Sequence, residues 1–271
     1  MFQKALSVNI HGRLLSLDRP QVMGILNATP DSFFAGSRCF TEEKIAQRTR
    51  HILDEGATII DVGACSTRPG GTPADEAEEM ERLRIALPIV RREAPVAPLS
   101  IDTFRPAVAK MAVEEFGADI INDVSEGADA EMFPTVARLG VPYILMSLKP
   151  DLGSMLKAFA SEVQQLRDLG QKDIILDPGF GFGKTLEGNY AIMSELERLR
   201  VMELPLLVGI SRKRMIHQLL GISVDDSLNG TTVLNTIALM KGADILRVHD
   251  VKAAVEAVKI VGALVEPDKS R

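Results

Sequence analysis

Eight short apolar runs, each followed by a longer stretch with helical periodicity, constrain this 271-residue chain more than any other feature. The runs are rich in Val, Ile and Leu and are continuously apolar, as expected for parallel strands that are buried on both faces. They occupy residues 21–27, 58–64, 98–103, 119–125, 142–148, 173–179, 204–211 and 243–249. Eight strand–helix units predict an α/β fold, a single (β/α)8 TIM barrel, with a doubly wound open sheet as the alternative.

A short N-terminal β-hairpin is predicted to precede the first strand of the barrel. Residues 5–17 are divided by His11 and Gly12, and a two-residue break of this kind is typical of a tight hairpin turn. This extension, residues 1–20, is placed to plug the bottom of the barrel. Because no linker or low-complexity tract interrupts the chain, residues 1–271 are predicted to form one domain.

The composition argues against several classes of protein. A hydrophobic content of 46% and a charged content of 25% are typical of a globular chain, and no apolar run is long enough to span a membrane. A net charge of −6, an aromatic content of 4% and the lack of Trp argue against a nucleic-acid partner. The two cysteines, Cys39 and Cys65, cannot build a disulfide framework, and the N-terminus lacks a signal-peptide pattern, which together favour the cytoplasm.

Polar and charged residues follow the predicted strands at the end where each strand leads into its helix. In (β/α)8 barrels this carboxyl end is the face that carries the active site. Because a buried carboxylate is costly without a partner, a ring of such groups predicts a ligand. The candidate residues are Asn27, Asp102, Asn122, Asp177, Ser211, Lys213, Arg247 and His249, together with Thr67, Arg68 and Pro69 in the loop after the second strand.

These candidates divide into two chemical groups. Asp102, Asn122 and Asp177 offer hydrogen-bond acceptors and one amide donor, which suit a flat heterocycle that carries N–H and amino groups. The second group is cationic and suits a phosphate or pyrophosphate. It comprises Arg68, Lys213, Arg247 and His249. Asn27 adds a neutral oxygen of the kind that binds a hydrated Mg2+ held mainly by phosphates.

Simpler interpretations apply to other positions at the strand ends. An Asp in such a place often caps the following helix, and Asp61, Asp123 and Asp250 are interpreted in this way. The glycine-rich segment 177–185 does not match a phosphate-binding P-loop, because Pro178 occupies the position of the first Gly. We interpret the segment as a close backbone turn under a planar ligand, with Phe182 as one wall.

Taken together, these segments resemble those of the dihydropteroate synthase family, the folate-pathway enzymes that sulfonamide drugs inhibit. Each match is short, but the matches occur in the family's order. They are residues 23–33, 60–63, 66–70, 100–103, 121–123, 177–184, 211–213 and 247–251. The resemblance implies a barrel, usually a homodimer, that condenses (7,8-dihydropterin-6-yl)methyl diphosphate with p-aminobenzoate and releases pyrophosphate.

The resemblance also implies a role for each matching residue. The implied pterin ligands are Asp102, Asn122, Asp177 and Lys213. The implied diphosphate ligands are Arg247 and His249, Arg247 also lying over the pterin ring, and the implied Mg2+ ligand is Asn27. Two mobile loops are implied to close over the p-aminobenzoate site beside Ser211. The first loop contains Asp31 and Phe33, and the second contains Thr67, Arg68 and Pro69.

The reaction implied by the family begins with loss of pyrophosphate, which leaves a methylene cation stabilised by the pterin. Asp102 is expected to stabilise that cation, while Mg2+ and the cationic residues offset charge on the leaving group. The aryl amine is already nucleophilic, so no strong general base is needed. The residues expected to act in the chemistry are Asp102, Lys213, Arg247 and His249.

The chain departs from the family pattern at four places, which are Phe34-Ala35, Cys65, Ser147 and Arg214. None of these removes an implied pterin or diphosphate ligand, so activity is expected. One alternative is a pterin-binding methyltransferase of the corrinoid type, which shares the barrel but releases no diphosphate. A second alternative is a non-catalytic pterin-binding homologue, which only Ala35 and Ser147 support.

Overall fold

The computed structural model describes residues 6–28, 38–65 and 74–265 of the chain, and it confirms the predicted hairpin. Strands β1 (Ser7–Ile10) and β2 (Arg13–Ser16) pair in antiparallel register. His11 and Gly12 form the turn with φ values of 48° and 85°, a left-handed pair that matches the twist of a two-residue hairpin. The Asn9 side chain accepts a 2.8 Å hydrogen bond from the Gly12 amide and so fixes the turn.

The eight predicted barrel strands are all present and pair in parallel. They are β3 (Gln21–Asn27), β4 (Ile59–Gly63), β5 (Leu99–Asp102), β6 (Ile120–Asp123), β7 (Tyr143–Met146), β8 (Ile174–Asp177), β9 (Leu207–Val208) and β10 (Ile245–Val248). Their order in the sheet is β8-β7-β6-β5-β4-β3-β10-β9. A parallel bridge between Leu176 and Leu206 joins β8 to the segment before β9 and brings the two ends of the sheet together. The predicted barrel is therefore confirmed, and the open-sheet alternative is wrong.

Helices follow the strands, as the periodicity predicts. They are α1 (Arg38–Asp54), α2 (Glu76–Glu93), α3 (Pro106–Phe116), α4 (Met132–Leu139), α5 (Leu152–Asp168), α6 (Leu186–Ser194), α7 (Arg214–Leu220), α8 (Leu228–Met240) and α9 (Val251–Val265). Several of these helices begin at a capping side chain that accepts a hydrogen bond from an amide of the first turn. The capping residues are Asp75 for α2, Asp151 for α5 and Thr185 for α6. None of the helices in the described ranges is long and apolar enough to cross a lipid bilayer.

Two apolar clusters hold the barrel together. The larger one lies between the sheet and the surrounding helices. The smaller one fills the inside of the barrel at the amino ends of the strands. It joins the hairpin residues Val8, Ile10 and Leu17 to Met23, Ile59, Ile120, Ile144, Ile175, Leu207 and Ile245. The hairpin therefore plugs this end of the barrel, which we call the bottom, as the sequence predicts.

Successive side chains of a strand point to opposite faces of the sheet, and this alternation determines which residues lie above the apolar layer. Two residues further along each strand, the side chain points into the barrel again. At this second level the inward positions are Ile25, Asp61, Asn122, Met146, Asp177, Gly209 and Arg247. The interior thus changes within one layer from apolar to largely polar as it approaches the carboxyl ends of the strands, which we call the mouth.

Candidate active site

Arg247 is the centre of the polar layer at the mouth. From β10 its Nε donates to Asp61 Oδ2 on β4 at 2.6 Å, and its Nη2 donates to Asp102 Oδ2 on β5 at 2.6 Å. Gly209, the residue after β9, faces this side chain, and a Cβ there would lie in ordinary van der Waals contact with it, 3.8 Å from the Arg247 Cβ. The sequence prediction that Asp102 and Arg247 meet at one site is consistent with this geometry.

Asp61 is the residue that sequence reasoning missed. It was interpreted as a helix cap, which is wrong, because its side chain is fully buried inside the barrel and α2 begins only at Glu76. In addition to the hydrogen bond from Arg247, its carboxylate accepts hydrogen bonds from Ser100 Oγ at 2.6 Å and from Asn122 Nδ2 at 3.3 Å. The signal in the sequence was its distance of two residues from Ile59, which places both on the inward face of β4.

Asn122 has one acceptor to offer. Because its Nδ2 faces the Asp61 carboxylate, the orientation of the amide is fixed. Its Oδ1 is buried and accepts no hydrogen bond from the described part of the chain. A buried acceptor without a donor costs free energy, so a ligand N–H group placed there would be favoured.

Asp177 and Lys213 form the opposite side of the mouth. Asp177 lies at the end of β8 and accepts a 2.7 Å hydrogen bond from the Gly179 amide. The Lys213 ammonium donates to the Phe180 carbonyl and lies 4.6 Å above the centroid of the Phe182 ring, a cation–π distance. Gly179 allows this turn because its φ is +66° and a Cβ would lie 2.2 Å from the Ser147 carbonyl oxygen.

Burial shifts the pKa of three groups in the mouth. It raises the pKa of Asp102 to about 7, with Arg247 opposing the shift and Asp61 adding to it. It lowers the pKa of Lys213 to about 8, although Asp177 opposes this. It also raises the pKa of Asp177, against the attraction of Lys213. Perturbed titratable groups that converge in one place are characteristic of functional sites.

Ser211, His249 and Asn27 lie at neighbouring strand ends of the mouth. The His249 Nδ1 lies 3.2 Å from Ser211 Oγ, which also accepts a hydrogen bond from the His249 amide at 3.2 Å. Asn27 is the last residue of β3 and is opposite Gly63 in the register with β4. From α1, Arg48 donates to the carbonyl oxygens of Ile25 at 3.2 Å and His249 at 3.0 Å, and so ties β3 to the end of β10.

The other two carboxylates that were interpreted as helix caps are both held by local contacts. Asp123 is not a cap, because α4 begins at Met132; it accepts from the Ser125 and Gly127 amides and from the Tyr143 hydroxyl at 2.6 Å. Asp250 does precede α9 directly, and its carboxylate binds the Arg212 guanidinium through two hydrogen bonds of 2.8 Å. Neither residue is left with a charge that requires a ligand.

Five of the candidate residues lie outside the described residues and are not placed. They are Asp31 and Phe33 in the segment 29–37, and Thr67, Arg68 and Pro69 in the segment 66–73. The remaining candidates all lie at the mouth or in the segments that leave it. The structure thus brings together the residues predicted to hold a heterocycle and leaves part of the predicted anion group undescribed.

Known proteins resemble this chain over almost its whole length. Residues 23–249 match a family model described as pterin binding enzyme. The chain is 36% identical to the dihydropteroate synthase of Escherichia coli strain K12, over 96% of this chain and 97% of that protein. It is 38% identical to the Bacillus subtilis dihydropteroate synthase, over 91% of this chain and 89% of that one. The solved Xanthomonas albilineans dihydropteroate synthase with 4-aminobenzoic acid superimposes with a TM-score of 0.87 at 35% identity, covering 97% of this chain and 99% of that chain.

Proposed function

The chain belongs to the dihydropteroate synthase family of pterin-binding enzymes, and on this basis we propose that it condenses (7,8-dihydropterin-6-yl)methyl diphosphate with p-aminobenzoate to form 7,8-dihydropteroate and pyrophosphate. The observation that carries the proposal is the joint placement of Asp102, Asn122, Asp177, Lys213 and Arg247 at the mouth. The near-complete match to dihydropteroate synthases disfavours the methyltransferase alternative.

The pterin is the substrate that the described residues fit best. Its ring N–H and amino groups are donors, and the mouth offers the Asn122 Oδ1 and the Asp177 carboxylate as acceptors. Lys213 supplies a donor for a ring nitrogen or carbonyl, and the Phe182 ring beneath it supplies a flat wall. A heterocycle seated in this way would satisfy groups that are otherwise costly to bury.

The diphosphate is assigned to the side of the mouth formed by Arg247, His249 and Asn27. No cluster of three or more His, Cys, Asp or Glu side chains suited to a metal occurs within residues 6–28, 38–65 and 74–265. The single amide oxygen of Asn27 fits a Mg2+ ion whose remaining ligands are diphosphate oxygens and water. When bound, such an ion would neutralise charge on the leaving pyrophosphate.

The chemical step follows from the charges on this site. The bond between the methylene carbon and the diphosphate oxygen breaks, and both bonding electrons leave with pyrophosphate. Asp102 faces the resulting cation with a negative charge at a position shielded from water, where electrostatic stabilisation by a preorganised group is strong. The amine of p-aminobenzoate then forms the new C–N bond and loses a proton. Lys213 holds the ring, while Arg247 and His249 attract the departing anion.

The function is tested by measuring pyrophosphate release by the purified full chain. Release should require both the pterin diphosphate and p-aminobenzoate, and Arg247→Ala should weaken binding of the pterin diphosphate. A sulfonamide is expected to compete with p-aminobenzoate, as a Yersinia pestis relative solved with a sulfonamide drug suggests. Binding of pterin without turnover would instead favour the non-catalytic alternative.

Three further assignments belong to the proposal. The whole chain, residues 1–271, acts as one pterin-binding domain in which residues 1–20 are the hairpin extension. It works in the cytoplasm, where the free thiol of Cys65 would stay reduced.

The chain forms a homodimer, for which the exposed apolar side chains of Leu219, Leu220 and Val233 on α7 and α8 are a suitable surface. Light scattering of the wild type and of Leu220→Glu tests the last point.

A further inference from the structure

Lys184 is a half-buried lysine that the proposed reaction does not use. Its ammonium donates three hydrogen bonds, to the carbonyl oxygens of Ser147 at 2.9 Å, Gly179 at 2.9 Å and Phe182 at 3.1 Å. An ammonium has three protons, so these carbonyls use all of its donors. The side chain therefore joins the end of β7 to two points of the glycine-rich segment that follows β8.

That segment carries the Phe182 ring, which is proposed to meet the pterin, and it supports Lys213, which is proposed to hold it. The Phe180 carbonyl accepts from Lys213, and the Phe182 ring lies under the same ammonium. The segment forms neither helix nor strand between Asp177 and α6, so the sheet does not hold it in place. Asn189 on α6 also anchors it, because its Oδ1 accepts a 2.7 Å hydrogen bond from the Gly181 amide, and the Phe180 side chain is buried in the larger apolar cluster.

The contacts show how a change at Lys184 would reach the pterin. Without the ammonium, the carbonyl groups of Ser147, Gly179 and Phe182 would lose a shared donor and would repel one another at short distance. Phe182, whose carbonyl Lys184 holds directly, would then lose its fixed position, and with it the aromatic face over which the Lys213 ammonium lies. Ser211, beside the proposed p-aminobenzoate site, contacts His249 instead and takes part in none of these hydrogen bonds.

We infer that Lys184 is a positioning residue for pterin binding: it holds the Phe180–Phe182 backbone so that Phe182 and Lys213 are set for the heterocycle before it binds. The inference rests on the proposed function, because the ligand it serves is the pterin of that reaction. Preorganisation of this kind lowers the entropy cost of binding and so strengthens affinity.

The experiment compares the wild type with Lys184→Met, which keeps most of the side-chain volume and removes the donors. Binding of a pterin analogue is measured by calorimetry, and the KM of p-aminobenzoate is measured from pyrophosphate release at saturating pterin diphosphate. We expect the Kd of the pterin analogue to rise at least about 10-fold, the scale of losing a well-placed contact, while the KM of p-aminobenzoate changes less than about 2-fold.

The matched control is Lys241→Met. The Lys241 ammonium likewise holds structure together, donating to the Ser194 carbonyl at 2.8 Å and to Glu197 at 2.6 Å, but these contacts lie outside the mouth. Lys241→Met should lower the Tm without changing the Kd of the pterin analogue or the KM of p-aminobenzoate. If Lys184→Met gives no soluble protein, Lys184→Gln replaces it, since the shorter neutral amide cannot reach all three carbonyls.

The outcomes separate the inference from the proposed function. A pterin Kd within 2-fold of the wild type in a soluble Lys184 variant overturns the inference, and so does an equal rise of both constants. A wild type that binds the pterin analogue but releases no pyrophosphate overturns the proposed function instead. A selective loss of pterin affinity in the Lys184 variant, absent from Lys241→Met, supports the positioning role.

Discussion

The bottom and the mouth of the barrel are built by the same strands but have opposite chemistry. At the bottom, Ile59 and Ile245 belong to the same buried apolar cluster as Ile10 of the hairpin. Two residues further along the same strands, Asp61 and Arg247 are joined by a 2.6 Å hydrogen bond. The bottom is closed by the chain itself, whereas the mouth exposes groups that a ligand can complete.

This difference matches a division between residues that stabilise the fold and residues that we propose to act on a substrate. Burial of apolar side chains at the bottom contributes to stability without any ligand. Buried charges at the mouth contribute little net stability, because desolvation offsets their attraction. They are better explained as preformed electrostatics, which lower the energy of a charged transition state without rearrangement. Four experiments test this division.

The largest effect is expected from Asp61→Ala, which should lower the free energy of unfolding. The change leaves Arg247 with a single carboxylate and removes the acceptor of Ser100 and Asn122. Breaking a buried ion pair costs about 3–5 kcal/mol, so urea unfolding should show a loss of that size. The exposed Asp54→Ala is the control and should change the free energy of unfolding by less than about 0.5 kcal/mol. Equal effects of the two variants would contradict the role given to Asp61.

Asp102→Asn should separate function from stability at the mouth. Asparagine keeps the volume and an oxygen that can accept from Arg247, and Arg247 keeps its hydrogen bond to Asp61, so the fold should be largely spared. Turnover should fall at least about 100-fold, the scale of losing one electrostatic contact to a transition state. Single-turnover kinetics and urea unfolding together test this. Turnover like that of the wild type would remove the argument that this carboxylate stabilises a cation.

The pH dependence of kcat/KM should report the two perturbed groups. In the proposed mechanism Asp102 acts as an anion, so activity should fall as the pH drops below about 7, the pKa to which burial raises it. Lys213 must be protonated, so activity should fall above about pH 8. Each limb should approach about a tenfold change per pH unit. Lys213→Arg should move the basic limb to higher pH, because a guanidinium stays charged; an unmoved limb would assign it to another group.

The smallest effect is expected at the bottom of the barrel, where Ile10→Val should lower the free energy of unfolding only slightly. Ile10 is 2% exposed, and removal of one methyl group from a packed core costs about 1 kcal/mol. Activity per folded molecule should not change. Leu14→Ala on the same hairpin, where the side chain is 73% exposed, should have almost no effect on either quantity. A loss of turnover in Ile10→Val would show that the two ends of the barrel are coupled.

The architecture was readable from the sequence because it depends on local patterns. Continuous apolar runs predict strands buried on both faces, and helical periodicity between them predicts the outer layer. The His11-Gly12 pair likewise marked the hairpin, since a left-handed turn depends on few residues. Asp102, Asn122, Asp177 and Arg247 could be selected because the carboxyl ends of barrel strands share one face.

Contacts between distant residues were decided only by the tertiary structure. Asp61 looked like a cap until the closed barrel placed it against Arg247, 186 positions away in the chain. In the same way, only the folded chain brings Lys184 to the Ser147 carbonyl. A sequence specifies which faces of its strands are buried, because that follows from a short repeat. Which charge meets which other charge depends on the curvature and register of eight strands at once, and no local pattern carries that information.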